Sequence, residues 1–350
     1  MKAVLLLVVG VMCELKIPKK YISNSLDMKI ALTANCYMQF RRRMILMKKA
    51  DFVTTTKIYL NESLDIDPSF IANSTELFGL KVDKVGFKYS TAASQFMNKQ
   101  IEREMLKRVT DVIDANDVNV NTSMVILNAA HYKGTWEKPF YPQLTKDKKF
   151  YNLKGEISKT PMMVTMDDVP FLDDPNLDIK MITLPFLQES ITFVMPLNAS
   201  QLPFFIDRIH KDAELMKQLK SRMTRKVLNL SIPKFKIKTY VDWTGFLRLI
   251  GINQIMNTTY SGLHHMLKRG STDKVYLSKI KQKIVIELDE FGIRRPRRLE
   301  EIQDFKRNQN FMDRADEVLL DRPFYFAISF RDRTGEYDIF QGTYYGPQEI

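Results

Sequence analysis

A long polar connection between two apolar strands near the C-terminus constrains the fold more than any other feature of the sequence. Ile284–Asp289 has the alternation and β-branched content of a strand, and Phe324–Phe330 reads as a second strand. The connection from Gly292 to Pro323 is far longer than the ~4–6 residues of most connections. It opens with four arginines in the run Arg294–Arg298. Connections of this length are usually functional or disordered, so this basic loop is the main candidate for the functional element.

The flanks of the loop resemble those of serpins. Glu287-Leu288-Asp289-Glu290-Phe291-Gly292 is similar to the family's Glu-x-Asn-Glu-x-Gly hinge, in which Glu287, Asp289, Glu290 and Gly292 are the matching residues. Val318–Ile328 is similar to the family's C-terminal signature. The resemblance implies an α+β fold with a large central mixed β-sheet, two smaller sheets, several surrounding helices and a long exposed reactive-centre loop. That loop would occupy about 293–317 of a single serpin domain, 14–350.

A second block in the middle of the chain carries the same resemblance. Asn128–Phe140 is similar to the family's Asn-Ala-x-x-Phe-Lys-Gly-x-Trp-x-x-Pro-Phe block at the end of a central strand. By resemblance, Asn128 lies in the "shutter" under the central sheet, and Trp136 lies in the "breach" where the reactive loop enters it. Gln282 departs from the pattern, because many serpins have a histidine there.

Four secondary-structure elements are predicted from local patterns. Asp51–Leu60 is rich in Val, Thr, Ile and Tyr and predicts a strand, and Leu64–Phe78 predicts a short helix. A further helix is predicted from a cap at Ser90 or Thr91 to about Val112, with an apolar stripe at every fourth residue. Met124–Tyr132 is an almost continuous apolar run, which predicts a strand buried on both faces.

The N-terminus predicts secretion. Residues 1–13 combine one lysine with a short apolar run, as a signal peptide does, although a buried strand is the alternative. Six Asn-x-Ser/Thr sequons favour an extracellular glycoprotein: Asn61, Asn73, Asn121, Asn198, Asn229 and Asn257. Residues 14–51 are too few for the three helices, the strand and the part of a fourth helix that serpins place there. We therefore expect that at least one core helix is missing or that the sequence is an incomplete gene product.

Charge and composition limit the partners. The net charge of +12 over 350 residues favours anionic partners, but no nucleic-acid motif is visible. Arg41-Arg42-Arg43 ends the apolar pattern of a helix predicted over Leu26–Met47 and suits an acidic polysaccharide, with a solvated face as the alternative. Two cysteines and four histidines argue against a disulfide framework and a metal site. We expect no cofactor, no enzymatic activity, no membrane association and a monomeric chain.

The resemblance implies serine-protease inhibition, in which the loop is cut and its hinge inserts into the central sheet as a new strand. Inhibitory serpins carry small residues at this hinge, whereas either register of Ile293–Leu299 points two arginines to the same face. Pro296 also lacks a ladder N–H. We therefore expect a degenerate or non-inhibitory serpin. The alternatives are an inhibitor of a trypsin-like protease and an extracellular binding protein for acidic polysaccharides.

Two places in the loop are candidate cleavage sites. Counting from the hinge glycine places the scissile bond near Lys306-Arg307, which suits a trypsin-like protease. Arg295-Pro296-Arg297-Arg298 resembles the Arg-x-Arg-Arg site of a furin-like processing protease. A solvated basic loop is the alternative to both interpretations.

Overall fold

The structure is a computed structural model. It describes residues 52–212, 214–249, 251–292, 315–332 and 335–347. The signal peptide predicted at 1–13, the helix predicted over Leu26–Met47 and the loop residues 293–314 lie outside the described residues. The last of these ranges contains both candidate cleavage sites.

Two β-sheets are formed by the thirteen strands of the described residues. The strands are β1 (Phe52–Asn61), β2 (Lys81–Val85), β3 (Met124–Tyr132), β4 (Lys146–Tyr151), β5 (Ile157–Asp174), β6 (Ile179–Pro185), β7 (Glu189–Pro196), β8 (Thr224–Pro233), β9 (Phe235–Asp242), β10 (Leu277–Leu288), β11 (Asp316–Leu319), β12 (Phe324–Asp332) and β13 (Gly335–Tyr344). A five-stranded sheet has the order β2-β1-β3-β10-β9. An eight-stranded sheet has the order β11-β8-β5-β6-β7-β12-β13, with β4 paired to β5.

Five α-helices accompany these sheets in the described part of the chain. They are α1 (Pro68–Phe78), α2 (Ser90–Glu104), α3 (Leu202–Lys211), α4 (Leu215–Ser221) and α5 (Trp243–Leu249). Short 3₁₀ turns occur at Ala115–Asp117, Pro142–Leu144, Ala199–Gln201, Gln254–Met256 and His264–Met266.

The chain divides into two compact units, which are 1–131 with 238–285 and 132–237 with 286–350. In the first, Val125, Leu127 and Val285 belong to an apolar cluster with the buried side of α2. Met124 and Ile126 belong to a second cluster with residues of α1 and α5. The alternate residues of β3 therefore enter two different cores, which is why its sequence is apolar on both faces.

The second unit contains the eight-stranded sheet. Phe235, Phe324, Phe326 and Tyr344 form an aromatic group with ring-centroid distances from 5.0 to 6.3 Å. Burial raises the pKa of the Tyr344 hydroxyl to about 12. A separate apolar cluster contains the buried residues of α3 and α4.

The α+β, multi-sheet prediction is confirmed, with one difference in how the sheets are joined. Strands expected in two smaller sheets form one continuous ladder among the described residues. The 18-residue β5 accounts for this, because it pairs in succession with β4, β8 and β6. The prediction of a strand over Met124–Tyr132 is confirmed at both ends.

Two predicted helix boundaries are wrong. The first helix was expected from Leu64 but begins at Pro68, where proline fits the first helical position and the Asp67 carboxylate accepts a bond from the Ser69 N–H (2.8 Å). The second was expected to reach Val112 but ends at Glu104. Leu106 then has φ 52°, a left-handed conformation that stops a helix.

Candidate functional site at the root of the long loop

Asp289, the first residue after β10, organises the root of the long loop. Its carboxylate accepts hydrogen bonds from the N–H groups of Phe291 (3.1 Å) and Gly292 (2.7 Å). The same carboxylate pairs with the Lys133 ammonium at 2.6 Å, and the Asp289 carbonyl accepts a bond from the Trp136 indole N–H (2.7 Å). One residue thus fixes the turn and attaches it to the segment that follows β3.

Gly292 fits where no other residue can. Its φ of +77° is left-handed, and a Cβ atom there would lie 2.2 Å from the Gly134 carbonyl oxygen and 2.6 Å from the Thr135 Cα. Both obstructions are backbone atoms, which cannot rotate away as a side chain can. The last described residue before the loop is therefore pressed directly against the chain that follows β3.

Glu290 is buried at the same root, with 7% of its surface exposed. Its carboxylate pairs with the Lys234 ammonium at 2.9 Å and accepts a bond from the Thr145 hydroxyl at 3.0 Å. Its backbone carbonyl accepts the Phe140 N–H at 3.0 Å. A buried carboxylate needs such partners, because an unpaired charge in the interior is costly.

Trp136 forms an aromatic base beside this turn. It is 3% exposed, and its ring centroid lies 4.3 Å from that of Phe186 and 5.0 Å from that of Phe140. Because its indole N–H is used by Asp289, the large ring is both packed and hydrogen-bonded. Glu287, the next-to-last residue of β10, pairs with Lys236 of β9 at 2.6 Å.

The far end of the loop is anchored to the eight-stranded sheet. β11 begins at Asp316 and pairs in parallel with β8. Asp316 pairs with Lys226 at 2.6 Å, and Glu317 pairs with Lys148 at 3.2 Å. A hydrogen bond from Lys226 lowers the pKa of the Asp316 carboxyl. Asp316 and Glu317, expected at the end of the loop, therefore lie in a strand.

Asn128 lies on β3 within a separate polar network. Its amide N–H₂ donates to the Thr56 hydroxyl (2.8 Å) and to the Thr55 carbonyl (3.2 Å) of β1. Its amide oxygen accepts a bond from the Gln282 side chain of β10 at 2.7 Å. The Gln282 oxygen in turn accepts the Trp243 indole N–H at 3.1 Å. This network ties three neighbouring strands together.

Comparison with known proteins decides the family. The sequence model of the family described as serpin (serine protease inhibitor) matches residues 27–347. The chain belongs to the serpin family. Its members are generally inhibitors of serine proteases rather than catalytic enzymes.

Relatives and solved structures agree with this assignment. Alaserpin of Manduca sexta is 27% identical over 299 residues, which cover 85% of this chain and 74% of alaserpin. Antitrypsin of Bombyx mori is 25% identical, covering 81% and 71% of the two chains. The structure of native protease nexin-1 with heparin aligns with a TM-score of 0.76 at 21% identity, covering 91% and 84%. Serpin-12 of Manduca sexta aligns with a TM-score of 0.73 at 22% identity, covering 93% and 87%. These structures show that the fold is shared.

Of the residues predicted from the serpin hinge and breach, the structure brings Asp289, Glu290, Gly292 and Trp136 together. Glu287 and Asn128 each have other partners. Sequence reasoning missed Lys133, Lys234 and Thr145, which hold the two carboxylates. Lys133 lies inside the Asn128–Phe140 block that resembles the family, and this was the available signal. Its partner Asp289, like Glu290 for Lys234, is distant in sequence.

The sequons of this serpin differ in exposure. Asn121, Asn198 and Asn257 are exposed, whereas Asn61, Asn73 and Asn229 are half-buried, and Asn229 lies within β8. An oligosaccharide needs open space around the asparagine amide, which the three exposed asparagines offer more than the other three. Glycosylation at these positions stays a prediction. Among the described residues, no group of three or more His, Cys, Asp or Glu side chains is placed to hold a metal ion.

Proposed function

We propose that this chain is a secreted, degenerate serpin that does not inhibit proteases by loop insertion. Its long basic loop is instead an ordinary substrate for a trypsin-like or furin-like protease. The signal-peptide pattern at 1–13 and the three exposed sequons support secretion. No helix in the described part of the chain is long and apolar enough to cross a membrane.

The position available to an inserting strand carries this proposal. β3 and β10 are direct neighbours in the five-stranded sheet, and the loop leaves from the end of β10. A strand entering between them would meet buried apolar residues on both faces, since Val125 and Ile126 of β3 are 0% and 1% exposed and belong to different clusters. Around Val125 and Ile126 neither face of the sheet is open to solvent.

The loop sequence is incompatible with that position. Alternation along a strand would place Arg295 and Arg297 on one face of the sheet and Arg294 and Arg298 on the other. Each unpaired buried charge costs several kcal/mol after relaxation. Pro296 would also leave one ladder position without a donor. The free energy gained by adding a strand to the sheet is small beside these two costs.

Opening the sheet would also break existing contacts. The Asn128–Gln282 hydrogen bond joins β3 to β10, and the Lys133–Asp289 ion pair joins the segment after β3 to the turn after β10. A loop of small residues would recover this loss by forming two new ladders. A loop with four arginines and a proline would not, which supports the non-inhibitory assignment.

The first test is incubation with limiting trypsin, followed by a denaturing gel and a thermal melt. We expect cleavage within 293–314, no complex that survives denaturant, and no rise in the Tm. The control replaces Arg294, Arg295, Pro296, Arg297 and Arg298 with alanine and threonine and keeps Lys306-Arg307 as the cleavage site. Its Tm should rise after cleavage. A denaturant-stable complex with the unaltered chain, together with a higher Tm, would overturn the proposal.

Inhibition of a trypsin-like protease is the second candidate. The observation in its favour is that β3 and β10 are adjacent with no strand between them, which is the state a loop-inserting serpin needs before cleavage. Lys306-Arg307 is the proposed scissile bond for this activity. The same trypsin experiment separates the two candidates.

Binding of an acidic polysaccharide is the third candidate. One structural neighbour, protease nexin-1, has a solved structure with heparin, and this chain has a net charge of +12. Retention on heparin that falls with rising salt and with neutralisation of Arg41, Arg42 and Arg43 would support this function. Unchanged retention after neutralisation would show that these three arginines are not the heparin-binding site.

A further inference from the structure

The β4–β5 hairpin presents an unusual outward face. In its register Lys149 is directly opposite Lys159, and Tyr151 is directly opposite Ile157. Residues two apart on a strand share a face, so these four side chains lie together. All four are exposed, whereas Phe150 on the reverse face is 0% exposed and packs against Tyr344.

The two lysines are a like-charge pair whose counter-charge is absent from the described part of the chain. Within the described residues neither makes an ion pair. Of the nearby acidic side chains, Glu317 pairs with Lys148, and Glu156 in the turn accepts a hydrogen bond from Asn152. Asp147 is on the lysine face but stands opposite Pro161. Like charges directly opposite on neighbouring strands are destabilising, so folding alone gives no reason for this arrangement.

Apolar side chains complete the face. Tyr151 is 37% exposed and Ile157 is 58% exposed, and Leu153 in the adjoining turn is 43% exposed. Two free ammonium groups beside an exposed aromatic and aliphatic pair are complementary to an acidic patch with an apolar centre. Such a patch belongs to a protein surface. A sulfated polysaccharide would use the lysines but offers little to Tyr151 and Ile157.

The hairpin lies next to β11, the strand in which the long loop rejoins the eight-stranded sheet. The Tyr151 N–H donates to the Asp321 carbonyl at 2.8 Å, two residues after β11 ends. Lys148 of β4 pairs with Glu317 of β11 at 3.2 Å. A protease engaged on the loop would therefore have this hairpin close to its own surface.

We propose that Lys149, Tyr151, Ile157 and Lys159 form a docking surface for an acidic face of the protease that cuts the long loop. This inference rests on the proposed function as a protease substrate, and it adds a partner class. A charged docking surface outside the cleavage site acts mainly on the association rate and makes it salt-dependent.

The test compares two trypsins that share a preference for Lys and Arg but differ in net charge, one anionic and one cationic. The measured quantity is kcat/KM for cleavage within 293–314, with the cut assigned by mass spectrometry. We expect the double variant K149E/K159E to lower this value about fivefold for anionic trypsin at low salt. The effect should disappear near ~0.5 M salt, where screening is strong. Cleavage by cationic trypsin should not fall.

Three further variants sharpen the test. K146E/K154E reverses two exposed lysines of the same hairpin that lie off this face, and it should change the rate less than twofold. Tyr151→Ser with Ile157→Ser should lower cleavage by anionic trypsin at every salt concentration. K159E alone should weaken docking yet raise the Tm by ~1 °C, because it turns a repulsive cross-strand pair into an attractive one.

The outcomes separate this inference from the function on which it rests. If both trypsins cut the loop and K149E/K159E changes neither rate, the docking surface is wrong and the substrate function stands. If neither trypsin cuts within 293–314, the proposed function fails and the docking partner fails with it. Loss of heparin retention in K149E/K159E, with unchanged trypsin rates and no effect of the serine substitutions, would overturn the inference in favour of a polysaccharide.

Discussion

At the scale of single residues, Gly292 shows how closely the root of the loop is packed. Its left-handed backbone and the 2.2 Å gap between a hypothetical Cβ and the Gly134 carbonyl oxygen impose two separate constraints. Gly155, in the turn of the β4–β5 hairpin, has a similar φ of +80° but open space around it. The two glycines therefore distinguish backbone strain from steric contact.

We predict that Gly292→Ala destabilises the chain by about 2 kcal/mol or more, because strain and clash add. Gly155→Ala should lose only about 1 kcal/mol, which is the strain alone. Urea unfolding of both variants measures the difference. Equal losses of unfolding free energy in the two variants would mean that the backbone at the root of the loop shifts easily and that its contact with Gly134 is not tight.

At the scale of secondary-structure elements, α2 is held by a partly buried ionic group at its C-terminal end. Glu104 lies 2.9 Å from the Lys81 ammonium and 3.4 Å from that of Lys57, and accepts a bond from the Thr55 hydroxyl. Lys57 is almost fully buried and also pairs with Asp83 at 2.6 Å. Because α2 shares an apolar cluster with residues of β3 and β10, this group holds the helix that packs against those two strands.

The pKa of Glu104 predicts a pH dependence. Burial raises this pKa, but hydrogen bonds from Thr55 and Lys81 and the charges of Lys57 and Lys81 outweigh it, so the pKa is lowered from 4.5. A depressed carboxyl pKa stabilises the fold above the unfolded value, and that stability is lost as the pH falls through the folded value.

Glu104→Gln should therefore lower the free energy of unfolding by about 1 kcal/mol at pH 7, given partial screening by solvent. The difference in the free energy of unfolding between this variant and the unaltered chain should narrow as the pH falls below 4.5. Glu102→Gln on the same helix is the control, since Glu102 has no ion pair among the described residues. A gap that does not change with pH would show that the carboxylate charge does not hold the helix.

At the scale of the whole molecule, two causes can prevent insertion: a sheet that does not open, or a loop that does not fit. Under the proposed function the obstacle is the loop, because the apolar faces beside Val125 and Ile126 of β3 suit a strand of small residues. An added peptide separates the two causes.

We predict that an acetylated peptide of small residues, such as Thr, Val, Ala and Ser, raises the Tm by several degrees through binding to the native state. A peptide with the sequence Ile293–Leu299 should not. The measurement is a thermal melt at increasing peptide concentration. If neither peptide raises the Tm, the sheet itself does not open. If both raise the Tm, the arginines do not prevent insertion.

The sequence predicted apolar burial better than it predicted backbone conformation. Met105 and Val109 continue the stripe of α2 and are 0% and 1% exposed, yet Leu106 and Lys107 between them have φ values of 52° and 61°. A regular spacing of apolar residues indicates which side chains reach the core. A folded loop can bury side chains at that spacing as well as a helix can. The strand β3 was predictable at both ends because its apolar run has no such alternative.

The partners in the candidate site were less predictable than its hinge and breach residues. Asp289 and Trp136 could be chosen from the resemblance, but Lys133 lies 156 positions before Asp289 and Lys234 lies 56 before Glu290. Nothing local in the sequence links such pairs. Gln282 stands where many serpins have a histidine, and its side-chain amide donates a hydrogen bond to the Asn128 side chain. A change of residue type here retained a hydrogen-bonded contact.

The edges of the five-stranded sheet bear on solubility. β2 and β9 are its outer strands in the described part of the chain. Exposed Lys236 and Lys238 alternate along β9, and exposed Lys81 and Lys84 flank Asp83 on β2. Lysines along an edge strand oppose the addition of a strand from another molecule. We therefore expect the protein to resist self-association into fibres, in keeping with the expected monomer, even when heating loosens the sheet.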